Sequence, residues 1–137
     1  MTRRRLLRSA GAILVALGAG HLALAVVLTR ATLLGWAADG VWAAVPLLPG
    51  APPAGARDAL AFWGGPGGFA VPLVTLGLLL WHLAGRGVRV PAFVGWITAV
   101  WCMVGAVLLV PSPFVVGAVA GMLVVLSART ARWEEPV

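Results

Sequence analysis

Charge is what this sequence has least of. Only 10% of its 137 residues are charged, against about 25% in an ordinary soluble domain. Lysine is absent, and all ten basic residues are arginines. The acidic residues are Asp39, Asp58, Glu134 and Glu135, and none lies inside a long apolar run. A carboxylate within a membrane span is the usual mark of a proton or ion path, so a transporter has no support of that kind. Cys102 is the only cysteine, which excludes an intrachain disulfide and a thiolate metal cluster. No nucleophile is paired with a base and no two acids stand together in a catalytic pattern. No catalytic residue, metal site or cofactor is therefore expected.

What is present is apolar. The broad apolar count is 61% and the mean hydropathy is +1.02. A soluble fold this small buries only about two thirds of the surface its unfolded chain exposes. Neither a water-soluble enzyme nor a disordered chain fits that content. The net charge of +6 and pI near 11.8 would suggest nucleic acid in a soluble protein. Here the arginines flank apolar runs instead of forming a stripe, so no nucleic-acid partner is expected. The bias to Ala, Gly, Val and Arg is that of a GC-rich bacterial genome.

A hydrocarbon core about 30 Å thick takes about 20 helical residues to cross. The runs predict an all-α polytopic membrane protein in one domain: a bundle of four transmembrane helices over about 10–29, 59–84, 90–110 and 113–128. The first outer connection carries Leu33, Trp36 or Ala37, Gly40 or Val41, and Ala44 on one helical face, which predicts a short interfacial helix there. Within the second span, Gly64–Gly68 is poor helix material and Pro72 should kink or restart the helix. Pro91 falls in the first turn of the third span, where proline is tolerated.

Orientation follows from the arginines near the span ends. Arg3, Arg4, Arg5, Arg8, Arg86, Arg89, Arg129 and Arg132 all fall on one side of a four-span chain, and only Arg30 and Arg57 on the other. Both termini are therefore expected on the cytoplasmic side of the inner membrane. The rival reading is an export signal, from Thr2-Arg-Arg-Arg-Leu-Leu-Arg8 and the small-residue pattern Ala23-Leu-Ala25. The first run is longer than the 7–15 residues of a signal core, which favours an uncleaved anchor. Trp36, Trp42, Trp63, Trp81 and Trp133 suit the membrane boundaries, and Trp96 and Trp101 are expected between helices.

Helices in lipid associate where small residues allow close backbone approach. Ala12, Ala16 and Gly20 offer such a stripe in the first span, and Gly117 and Gly121 form a GxxxG pair in the fourth. Packing within the chain is the first expectation, and a homo-oligomer or another membrane protein the second. Two histidines, His21 and His82, invite a shared haem, but on straight helices their rings differ in height by about 15 Å. His21 lies deep and needs a partner. That partner is either a hydrogen bond to Thr75, Thr98 or a carbonyl, or a quinone-like or lipid molecule in an intrabundle pocket. Asp39 caps a turn or points back toward His21, with Trp42 beside it, so His21, Asp39 and Trp42 are the candidate ligand-binding residues. Cys102 reads as an inert buried thiol, and Gly64–Gly68 lacks the GK[ST] of a nucleotide loop.

Several short motifs stand in a particular order: Gly18-Ala-Gly-His21, Asp39-Gly-Val-Trp42, Ala61-Phe-Trp63, Gly95-Trp96 and Pro111-Ser-Pro-Phe114. Together they resemble a family of small bacterial four-helix integral membrane proteins known as a domain of unknown function. Ala43 stands where that family often carries Asn. The resemblance implies a four-span fold and supplies no activity. The expectation is a non-enzymatic accessory or interaction component of the bacterial inner membrane. The alternative is a binder or redox accessory for a quinone-like or lipid molecule around His21.

Overall fold

The computed structural model describes residues 2–41, 44–45, 53–109 and 112–130. Five helices run in order: α1 (Arg3–Asp39), α2 (Pro53–Gly64), α3 (Ala70–Arg86), α4 (Ala92–Leu108) and α5 (Phe114–Thr130). Among the described residues there is no strand.

The sequence places a span end at Arg30 and a separate interfacial helix after it. The structure instead has one continuous helix of 37 residues, about 55 Å long. A charge does not stop a helix, and no proline interrupts α1. The Thr29 hydroxyl folds back onto the Ala25 carbonyl at 2.7 Å, inside the helix. The stop comes at Gly40, whose φ of +95° only glycine adopts without strain.

The expected second span, 59–84, is two helices. α2 ends at Gly64 and α3 starts at Ala70. Between them Gly67 N–H donates to the Phe62 carbonyl at 2.9 Å and Gly68 N–H to the Gly65 carbonyl at 3.2 Å. The Phe62 ring fills the space where a side chain on Gly67 would stand, so the break needs its glycines. Pro72 sits in the first turn of α3, where its missing N–H has no acceptor to lose.

α3 ends in a Schellman motif. Gly87, at φ +71°, donates to Ala84, and Val88 donates to Leu83. Pro91 is the residue before α4, in extended geometry, and the Ser112 hydroxyl accepts the Phe114 N–H as α5 begins. α1 is the one described helix long and apolar enough to cross a membrane; α3, α4 and α5 are apolar and 17 residues each.

The chain divides into two compact units, a terminal unit of Met1–Leu17 with Leu73–Val137 and an insert unit of Gly18–Pro72. The terminal unit's core is built on Leu7, Leu14, Leu80, Cys102, Val124 and Val125, each under 2% exposed. In α1 the buried face there is Leu7, Ala10, Gly11 and Leu14, while Ala12 and Ala16 are exposed. A Cβ on Gly11 would stand 2.6 Å from the Gly77 carbonyl oxygen, and one on Gly77 would stand 2.7 Å from that of Gly11. Gly20 is exposed, and a Cβ there meets nothing within 4 Å. Within the described chain a close backbone approach of α1 is seen at Gly11 and none at Gly20.

Between α4 and α5 the backbones meet through Gly95 and Ala99 on one side and Gly117 and Gly121 on the other. A Cβ on Gly121 would lie 2.6 Å from the Ala99 nitrogen, and one on Gly117 would lie 2.6 Å from the Cys102 sulfur. Trp96 and Trp101 are not enclosed between helices: they are 45% and 43% exposed, and Trp101 sets its edge against Phe114.

Candidate functional site

His21 belongs to the insert unit, on the part of α1 beside the break between α2 and α3. Its Nε2 lies 2.8 Å from the Gly64 carbonyl oxygen. A carbonyl can only accept, so Nε2–H donates, and a neutral ring then keeps Nδ1 as its acceptor. The ring centroid is 4.6 Å from that of Phe69, tilted by 48°. Gly64 is the last residue of α2, where helix carbonyls have no partner of their own. The imidazole satisfies one of them. One turn further along α1, the Ala25 methyl is 3.8 Å from where a Cβ on Gly65 would stand. His21 and Ala25, four residues apart, present one face of α1 to the break.

Of the expected partners for His21, the carbonyl is the one observed. The Thr98 hydroxyl donates to the Val94 carbonyl of its own helix at 2.8 Å. Asp39 does not turn back toward His21. Because α1 is continuous, the two lie about 27 Å apart along its axis. Asp39 is the last residue of α1. Trp42 lies outside the described residues. The three residues read from the sequence as one ligand set are therefore not gathered into one site by the described structure.

A different polar pairing occupies the far end of the insert unit. Trp36 Nε1–H donates to Asp58 Oδ1 at 2.9 Å, tying α1 to α2. Trp36, Asp39, Arg57, Asp58 and Thr32 border an open groove of about 360 Å³. Sequence reasoning missed this bond. Its only signal was that Trp36 follows His21 by about four helical turns, so one face of α1 carries both.

Arginine organises one end of the terminal unit. Arg4 donates from Nε to the Ala84 carbonyl at 2.9 Å and from its terminal nitrogen to that of Gly85 at 2.6 Å, and Arg3 donates to Gly87. Ala84 and Gly85 are in the last turn of α3 and Gly87 follows its end, where a cation is favoured by the helix dipole. The start of α1 is thereby fastened to the α3–α4 connection. No group of three or more His, Cys, Asp or Glu side chains within reach of a metal exists among the described residues. The arrangement offers cations and hydrogen-bond donors, which suit an anion or an orienting field.

The profile of a family of unknown function, DUF6463, matches residues 5–131. No curated protein and no solved structure matches the chain.

Proposed function

The chain belongs to this family of unknown function, and from its own geometry we propose a four-pass membrane protein without catalytic activity. In this reading it is an accessory or interaction component of a bacterial inner membrane, with both termini cytoplasmic. The observation that carries the reading is the gathering of cations at one end of the terminal unit, where the start of α1 is bonded to the end of α3. Two chain segments brought to one end are joined by an even number of crossings. The sides of the helices support the same reading. Val27, Leu28, Ile97, Val107 and Leu108 are each 65% or more exposed, on surfaces that water would leave unsatisfied and acyl chains would not.

Helices of 17 residues stand at the short limit of about 17–25 for a crossing, which local thinning accommodates. A quinone-like ligand on His21 is the weaker reading, because its Nε2 is already held by Gly64.

Reporter fusions in a bacterial host test the topology. Alkaline phosphatase should be active after Gly40 and inactive after Gly87 and Val137, with fluorescent protein giving the reverse. An active phosphatase after Val137 overturns the reading.

A further inference from the structure

In the terminal unit a cavity of about 540 Å³ opens where the start of α1, the start of α4 and the end of α5 come together. Arg3, Arg89 and Arg129 all line it, beside Ala92, Trp96 and Ser127, and none of its described lining residues is acidic. A guanidinium cannot shed its proton and carries five N–H donors, so an arginine already bonded within the chain still has donors to turn toward an anion in this volume. Arg3 gives part of its five-donor fork to Gly87, and the rest remains for a ligand. α4 begins in this wall with no side-chain cap, so its N-terminal partial charge adds to the same field.

Trp96 has a second neighbour. It also heads a groove of about 480 Å³ between α4 and α5, whose described lining is entirely apolar. Buried Ala99 and Ala118 lie in this groove, and exposed Met103 and Val119 border it. A cationic cavity and an apolar furrow thus meet at one tryptophan, the residue type enriched where hydrocarbon gives way to headgroups.

We propose that the terminal unit binds one anionic phospholipid, its phosphate among Arg3, Arg89 and Arg129 and an acyl chain along the α4–α5 groove below Trp96. The inference rests on the membrane reading above and adds a ligand to it. Arginine forks match phosphate oxygens in pairs, and basic pockets at the cytoplasmic ends of membrane helices suit anionic headgroups. The α4–α5 groove supplies what a free phosphate would not use.

The test is native mass spectrometry of the full chain in neutral detergent, titrated with phosphatidylglycerol, phosphatidylcholine or inorganic phosphate. Phosphatidylglycerol should bind at one per chain, at least about tenfold more tightly than phosphatidylcholine, and millimolar inorganic phosphate should not displace it. Arg89→Gln with Arg129→Gln should remove that preference, while Arg30→Gln with Arg57→Gln keeps it. Equal binding of the two lipids, displacement by inorganic phosphate, or equal loss in both double variants overturns the proposal. Should the first double variant lose its helical circular dichroism, the wild-type comparison of the three ligands decides alone. A chain with the expected reporter pattern and no lipid preference overturns this site only. A chain recovered without detergent in the soluble fraction overturns the membrane reading as well.

Discussion

A carbonyl at the end of a helix in apolar surroundings either finds a donor or remains a liability. At Gly64 the donor is His21. A hydrogen bond within a protein contributes about 0.5–1.5 kcal/mol net. His21→Leu should therefore destabilise the protein by about 1 kcal/mol, seen as a lower thermal midpoint in detergent. His21→Gln, which still carries an N–H donor, should recover part of the loss. Equal midpoints for all three proteins would show that the bond is idle. That a ring inside an apolar run needs a partner is legible in the sequence. The partner is not, because a backbone carbonyl has no letter of its own and Gly64 lies far along the chain. Trp36 and Asp58 were hidden for a related reason: each reads as an ordinary boundary residue until α1 is known to continue past Arg30.

Small residues at four-residue spacing are easy to find in a helix rich in alanine and glycine, and spacing alone does not say which face has a partner. In α5 the Gly117 and Gly121 pair faces Cys102 and Ala99 of α4. In α1 the stripe through Ala12, Ala16 and Gly20 is exposed, and Gly11 meets the backbone of α3 instead. What selects Gly11 is a second glycine, Gly77, on another helix, a coincidence that one helix cannot reveal. The two sites should respond oppositely to one methyl. Gly121→Ala drives a Cβ into the Ala99 nitrogen, 2.6 Å away, and should cost about 1–3 kcal/mol through overpacking. Gly20→Ala meets open space and should be neutral or stabilising by up to about 1 kcal/mol, through helix propensity. Denaturation in detergent measures both, and a comparable loss at Gly20 would place a partner on that face. Helix breaks were legible in chemical terms, as the Gly64–Gly68 run shows. The continuation of α1 was not, since Arg30 marks a change of surroundings and not of backbone.

At the scale of the molecule, arginines gather at one end of the terminal unit. Arg3 and Arg4 do two things at once: they bond carbonyls at and just past the end of α3, and they place charge at the end the membrane reading assigns to the cytoplasm. These roles separate experimentally because one needs a guanidinium fork and the other only a charge. Replacing Arg3, Arg4, Arg5 and Arg8 by Ser removes both. It should raise the phosphatase activity of a fusion after Gly87, since the first helix usually dominates orientation. Replacing the same four by Lys keeps the charge and weakens the bonds. Phosphatase activity should then stay low while the thermal midpoint in detergent falls. If Lys and Ser raise the phosphatase signal alike, orientation depends on the bonds to Ala84, Gly85 and Gly87. If neither changes it, the arginine end is an anion-binding surface with no part in orientation, and the crossing count must be carried by the apolar runs alone.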